Sequence, residues 1–423
     1  MRILWFSNTP ANADEYFNKT LKGTGGWMKA MDNSLQNFVD LHIAFYHDKK
    51  VPPFKYKNSN YYTFQKKNNT ILKKYLNTIK SKIIFDEDVQ QYIDIINLVK
   101  PDLIHIHGTE NSFGYILGKV DIPIVISIQG NINVYKHKYF SGISKSYLFS
   151  YNNLFEGLIG YKPFKISYKK FNKMVKRETY ALSLSDNIIG RTHWDRRITA
   201  VLAPNAKYFH NDEILRDSFY LNKWSRNDNR EKFIIFTTNG DSFYKGFETI
   251  CHASFLLLKN SNIDFEWRIA GISESSLIVK VVKKLLGNKY PNRGIKLLGN
   301  LGEDELVKEL LSSDLYVMPS HIENSPNNLC EAMILGLPCI ATCSGGTSSL
   351  LEDNKEGVLI QDGDPWVLAG SIIDSYKNKD SFAEFGKKAR NRALIRHNRE
   401  KIIGDIIDNY NIIIKNSKNI INE

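Results

Sequence analysis

Cysteine is scarce in this chain: there are four in 423 residues, Cys251, Cys330, Cys339 and Cys343, all in the second half. None has metal-ligand spacing, and a chain of this length needs no disulfide staples to close a core. A structural zinc knuckle and a disulfide-built secreted fold are therefore excluded, and a reducing cytosol is the expected compartment. Long apolar runs are missing as well. No stretch reaches the roughly eighteen apolar residues that make a membrane-spanning helix. The opening residues Met1–Phe6 pass at once into polar Ser7 and Asn8, which suits a buried first strand rather than a secretory leader. There is no tandem repeat, no nucleic-acid-binding motif and no recognisable enzyme nucleophile.

What the chain has is length, charge and alternation. Its 423 residues are too many for one ordinary core, and two domains are expected. The net charge is +12, which suits an anionic donor, anionic lipid head groups or nucleic acid. The charge is clustered. Lys66, Lys67, Lys73, Lys74, Lys80 and Lys82 are interleaved with Phe64, Ile71, Leu72, Tyr75, Leu76 and Ile79. Between Tyr161 and Arg177, Lys162, Lys165, Lys169, Lys170, Lys173 and Lys176 are mixed with Phe164, Ile166, Tyr168 and Phe171. Each cluster suits either docking on a membrane surface or a solvated helix face with a buried opposite side.

Short apolar segments at 2–6, 40–46, 61–64, 103–107, 124–129 and 187–190 alternate with helical stretches such as 26–37, 88–99 and 167–184. This is the pattern of a parallel sheet covered by helices. Polar Asp217–Lys232 breaks the periodicity, and the pattern restarts with strands at 233–237, 265–270, 295–298, 315–318 and 339–342. The expected division is a Rossmann-like first domain over 1–216, a linker over 217–232 and a Rossmann-like second domain over 233–395. Residues 396–423 form a C-terminal helix that could pack back on the first domain.

The most specific segment runs from Ser320 to Gly346. Glu323 and Glu331 are separated by seven residues, with Pro326, Asn327 and Asn328 between them. Ala332-Met333, Gly336-Leu337-Pro338, a short apolar run and Gly345-Gly346 follow. A helix beginning near Asn327 would point unpaired backbone N–H groups and its positive end at an anion. Pro326 supplies no N–H, so the donors are those of Asn327 and Asn328. Glu331 lies one turn further on, where it could accept from ribose hydroxyls, and Glu323 on the preceding loop could reach sugar hydroxyls.

This ordered pattern resembles the donor-binding signature of retaining glycosyltransferases of family 4 (glycosyl transferases group 1). The resemblance covers nearly the whole chain and is strongest from Lys245 to Asp364. It implies an α/β GT-B fold, with two Rossmann-like domains facing across a cleft. It also implies that Lys245, after the first strand of the second domain, meets the donor diphosphate, with Glu323 as the other catalytic residue. Relatives often carry an arginine about six residues earlier, where this chain has Asn239. Gly271 resembles the strand-end glycine near the donor, and Asn300 and Leu301 the stretch that meets the base. Gly25 and Gly26 resemble the glycine loop of the first domain.

On the acceptor side, the resemblance points to His107, Glu110, Gln129 and Arg191. His107 also reads as an ordinary core histidine. Gln129 stands where many relatives have histidine and can only hydrogen-bond. Arg191 could meet an anionic acceptor group or simply open a salt-bridged helix. The family needs no metal and no cofactor. Asp362-Gly363-Asp364, the nearest approach to an Asp-x-Asp metal clamp, falls after the donor motif in a surface turn.

The resemblance implies a metal-independent, retaining transfer of a sugar from a nucleotide diphosphate to a hydroxyl of a lipid-linked glycan, in bacterial surface-polysaccharide synthesis. The partners are then a nucleotide-sugar, that glycan and an anionic membrane surface, without nucleic acid, and the location is peripheral at the inner face of the membrane. Two alternatives remain open at this point: another GT-B enzyme, such as a polysaccharide synthase or sugar-nucleotide epimerase, and a basic nucleic-acid-binding protein supported by charge alone.

Overall fold

A computed structural model describes residues 1–17, 25–65, 86–151 and 163–422. They form two compact units, each built on its own sheet.

The first unit comprises Met1–Lys136, Ile166–Ile214 and Asn398–Glu423. Its strands are β1 (Arg2–Ser7), β2 (Asp40–His47), β3 (Phe54–Tyr56), β4 (Ser59–Gln65), β5 (Leu103–His107), β6 (Ile124–Ser127), β7 (Asn187–Gly190) and β8 (Lys207–His210), in the sheet order β3-β4-β2-β1-β5-β6-β7-β8. Only the β3–β4 pair is antiparallel. Ile3, Leu4, Trp5 and Phe6 are all fully buried, as expected of a parallel strand covered on both faces. In β5, His105 and His107 are two residues apart and so share one face. The helix Arg399–Asn422 packs in this unit. Its Ile402, Ile406, Tyr410 and Ile413 recur at helical spacing and join the core of Ile3, Trp5 and Met31. The Tyr410 hydroxyl accepts from Trp5 Nε1 at 3.1 Å and bonds His105 Nδ1 at 2.6 Å.

The second unit comprises His137–Lys165 and Leu215–His397. Its strands are β9 (Phe233–Thr238), β10 (Phe265–Ala270), β11 (Ile295–Gly299), β12 (Leu315–Met318), β13 (Cys339–Thr342) and β14 (Val358–Ile360), all parallel, in the order β11-β10-β9-β12-β13-β14.

Two expected boundaries move. Residues 217–232 are not a linker. Phe219 and Trp224 are buried in the second unit's core beside Leu329 and Leu335, and Trp224 donates through its backbone N–H to Leu335 O and through Nε1 to Ser313 O, both at 2.7 Å. The polar Asn227-Asp228-Asn229 that broke the periodicity is only an exposed turn. Residues 137–165, expected in the first domain, group with the second unit because Ile143, Leu148 and Phe164 are buried with Phe243, Phe247 and Ile250.

The basic stretch Lys66–Lys82 lies outside the described residues, as do Gly23, Thr24, Tyr161 and Lys162. Its one described aromatic neighbour, Phe64, is fully buried. In the second cluster Phe164 is buried, while Lys165, Lys169, Lys170 and Lys176 are exposed. Among the described residues, no helix is long and apolar enough to cross a membrane.

Candidate active site

In an open parallel sheet the loops at the carboxyl ends of the strands form the natural binding surface. In the second unit those loops carry the motif residues. After β9 the chain makes a short helical turn, Phe243–Lys245, and then starts the helix Phe247–Asn260. Gly246 makes this possible. Its φ is +75°, and a Cβ there would lie 2.2 Å from the Pro319 carbonyl oxygen, so only glycine lets this turn close against the loop after β12.

Lys245 and Glu323 meet in that corner, with Nζ 2.6 Å from Oε1. Burial works against the ammonium, but the Glu323 carboxylate and Tyr244 outweigh it, so Lys245 titrates above its ordinary value. Glu323 is held from behind by the glycine pair. Gly346 N donates to Glu323 O at 2.9 Å, and Gly345, at φ +59°, would put a Cβ 1.9 Å from that same oxygen.

The helix Asn327–Leu335 starts at Pro326, whose carbonyl accepts from Leu329 N and Cys330 N. The Asn328 side-chain amide donates to Thr238 O at 3.2 Å and ties the helix start to the end of β9. Asn327 and Asn328 thus occupy the positions where a helix has no acceptor of its own for its N–H groups. Gly271 and Asn239 join the cluster through the backbone: Asn239 N donates to Ala270 O at 2.8 Å and Gly271 N to Gly299 O at 2.7 Å. Asn239 Nδ2 reaches Lys245 O at 3.3 Å. The residue standing in place of an arginine therefore braces the lysine's backbone. Asn300 is exposed just beyond β11, and Leu301 is half-buried.

Glu331 has a partner that the sequence did not reveal. Arg216 Nε and Nη2 each donate to one of its carboxylate oxygens at 2.8 Å, and the guanidinium lies over the Phe219 ring at 4.7 Å. Burial pushes the Glu331 carboxyl up and Arg216 pulls against it. The fork occupies one lone pair per oxygen and leaves the others able to accept hydroxyls. The two aspartates of the Asp362-Gly363-Asp364 turn have other tasks. Asp364 caps the helix Pro365–Lys377 by accepting from Trp366 N and Val367 N at 3.0 Å, and Asp362 pairs with Lys138 at 2.8 Å.

The acceptor-side candidates lie in the first unit. Gly25 adopts φ +82° as the N-cap of the helix Gly26–Leu35, which brings Trp27 to His107, ring centroids 5.8 Å apart. His107, Gln129 and Arg191 line one small cavity with Trp27, His105 and Glu213. Glu110 is not among its walls and instead accepts from Asn8 Nδ2 at 2.8 Å. Neither ring nitrogen of His107 has a hydrogen-bond partner among the described residues. Burial and the stacked His105 push its pKa well down.

Arg191 makes the salt bridge that one of its two readings expected. Its Nη1 is 2.6 Å from Glu213 Oε2, with both side chains almost fully buried. Its Nη2 donates to Gln129 O at 3.1 Å and bonds Gln129 Oε1 at 3.4 Å. Its charge is already paired inside the fold. Sequence reasoning also missed Glu178. It is fully buried and accepts from Asn133 N at 2.7 Å, Ile132 N at 3.1 Å and Thr109 Oγ1 at 2.5 Å.

Residues 220–392 match the family described as glycosyl transferases group 1. Among curated proteins, the chain is 32% identical over 120 residues to N-acetyl-alpha-D-glucosaminyl L-malate synthase of Bacillus anthracis, covering 28% of this chain and 32% of that one. It is 28% identical over 123 residues to the amylovoran biosynthesis glycosyltransferase AmsK of Erwinia amylovora, covering 28% of this chain and 30% of that one. The matched segment thus spans about a third of each curated relative's length. Among solved structures, Anabaena HepE in complex with UDP and glucose superposes with a TM-score of 0.65 at 14% identity, over 97% of this chain and 99% of that one. Over residues 220–392 the chain is similar to the glycosyl transferases group 1 family, and it has the GT-B fold.

Proposed function

We propose that this chain is a glycosyltransferase that moves a sugar from a nucleotide diphosphate to a hydroxyl of a glycan during surface-polysaccharide synthesis. One observation carries the reading: Lys245, Glu323 and the start of the Asn327–Leu335 helix converge at the strand ends of the second unit, with Glu331 one turn further along. A lysine and a helix start together suit a diphosphate, and the two carboxylates suit sugar hydroxyls on either side of it. HepE, whose structure holds UDP and glucose, supports a uridine donor, and the amylovoran enzyme supports a polysaccharide product.

The chemistry follows from what the site offers. The transfer we envisage asks for no nucleophile from the protein. In it, the bond from the anomeric carbon to the phosphate oxygen breaks as the acceptor oxygen bonds the same face. The acceptor proton passes to the leaving phosphate, and the configuration is retained. Lys245 stabilises the charge growing on that phosphate, the kind of contact that contributes most to such a step. No metal takes part: the Asp362 and Asp364 carboxylates serve an ion pair and a helix cap, and Lys245 with the helix start supplies the positive field. The acceptor is lipid-linked, and the protein works peripherally at the cytoplasmic face of the membrane, docked through the exposed lysines of 165–176.

The test is incubation with a panel of nucleotide diphosphate-sugars and a lipid-linked acceptor, with the anomeric configuration of the product read by NMR. A retained linkage made in the presence of a chelator is expected. An inverted linkage, or strict dependence on manganese or magnesium, overturns the mechanism.

A further inference from the structure

Two residues before Glu323, the side chain of His321 is buried between two carboxylates. Its Nε2 lies 2.6 Å from Glu248 Oε1 and its Nδ1 lies 3.3 Å from Asp362 Oδ2, and the ring is almost fully buried. A neutral imidazole has one N–H and can serve only one of two carboxylates, leaving a lone pair facing the other. An imidazolium donates to both. The charged groups around the ring are Glu248 on the helix Phe247–Asn260, Asp362 on the turn after β14, and Lys138, which bonds that same Asp362 oxygen at 2.8 Å. With the ring protonated, two positive charges face two negative ones. With the ring neutral, a buried negative charge is left over. Glu248 cannot swing away easily: Thr249 Oγ1 donates to it at 2.9 Å, and Gly142 packs so tightly that a Cβ there would sit 2.1 Å from Glu248 Oε1.

The network reaches the candidate donor site through the backbone. His321 N donates to Tyr244 O at 2.7 Å, so the segment leading to Glu323 is tied to the residue before Lys245. The ring thus joins the helix that follows the Lys245 turn to the loop leading to Glu323 and to the Asp362 turn, and the His321 backbone adds a tie to the Lys245 turn itself.

We propose that His321 is a positioning residue that acts only as an imidazolium, holding the Lys245 and Glu323 segments in register for transfer. This inference rests on the proposed donor-site reading for its consequence in activity, but not for the charge state of the ring. The two carboxylates offset the effect of burial and raise the pKa of His321 above its ordinary value. Loss of the imidazolium thus comes at a higher pH than for an ordinary histidine.

Two measurements test it. In the first, the ring of His321 is followed by nitrogen NMR in the full chain. A doubly protonated ring at pH 7 is expected, with a titration that moves to lower pH in Asp362→Asn. A ring that is neutral at pH 7 overturns the proposal whether or not the protein transfers sugar. In the second, transfer is measured against pH for wild type and His321→Gln, which keeps one donor but cannot titrate. The expected result is an alkaline fall in wild-type kcat that follows the ring's titration. In the glutamine variant, kcat should be about tenfold lower at pH 7 and flat through that window, with UDP binding by calorimetry unchanged. Wild-type rates with the same alkaline fall in His321→Gln overturn the positioning role. A wild type that binds no nucleotide-sugar counts against the functional reading, and the NMR arm then decides the charge of the ring alone.

Discussion

Arg216 grips Glu331 across 115 residues of sequence through two hydrogen bonds of 2.8 Å, one to each carboxylate oxygen. The fork fixes the direction in which the remaining lone pairs of Glu331 point, and so ties the second unit's opening segment to the proposed ribose contact. Truncating one partner of a buried pair leaves the other charge uncompensated, at a cost of about 3 kcal/mol. Arg216→Ala should therefore lower the unfolding free energy in urea by about that amount and weaken nucleotide binding at least tenfold. Arg216→Lys, a point charge in place of a fork, should recover most of the stability and little of the affinity. Unchanged affinity in Arg216→Ala would show that the pair is purely structural.

Lys245→Ala should slow transfer by on the order of a hundredfold while the protein stays folded, the scale expected when one preorganised contact to developing charge is lost. Rates near wild type in the folded variant would remove Lys245 from the reaction.

The segment around Glu323 was legible in the sequence because its residues are consecutive: the spacing of the two glutamates, the proline before the helix and the glycine pair all act within 24 residues of chain, from Glu323 to Gly346. The parallel sheets were legible too, because strands buried on both faces are continuously apolar. What stayed hidden depends on long-range pairing. Nothing local marks Arg216 as the partner of Glu331, or Glu248 as the partner of His321. The segment 217–232 looked like a linker because its polar turn outweighs two large side chains, yet Phe219 and Trp224 bury it in the second core. The short strands β3, β8 and β14 were missed because three or four residues carry no readable period. Arg191 is a further case: a salt bridge was one of its two readings, but nothing local marks Glu213, 2.6 Å away, as the partner.

Gly345→Ala should disturb Glu323 without touching any side chain of the site. The added Cβ would approach the Glu323 carbonyl oxygen to 1.9 Å, at a φ of +59° that alanine resists. A penalty of about 1–3 kcal/mol is expected, read as a lower Tm, with a loss of transfer larger than that of Gly370→Ala, where nothing lies within 4 Å. Equal behaviour of the two variants would show that the glycine pair does not hold the Glu323 loop.

Stability should depend on pH through His321. Its pKa is raised in the folded chain, so its contribution is fully present below the unfolded value near 6.5 and is lost as pH rises through the folded value. As pH rises above the unfolded value, Tm should therefore fall more steeply in wild type than in His321→Gln. Parallel curves would mean that the ring does not titrate in that window.

Binding to anionic vesicles, absent for neutral ones and weakened by salt, is expected from the exposed lysines of the helix Pro163–Ser183. Reversal of charge at Lys169, Lys170 and Lys173 should reduce it and leave nucleotide binding intact. Equal binding to both kinds of vesicle would contradict an electrostatic origin.

The donor site is tested most directly by calorimetry with UDP-glucose and a panel of other nucleotide diphosphate-sugars, in the presence of EDTA. The prediction is that at least one member binds the wild-type chain without metal. Glu331→Ala should weaken that binding at least tenfold, while Lys245→Ala should keep most of it. No binding by any member, or binding that Glu331→Ala leaves unchanged, would contradict a donor site at these residues.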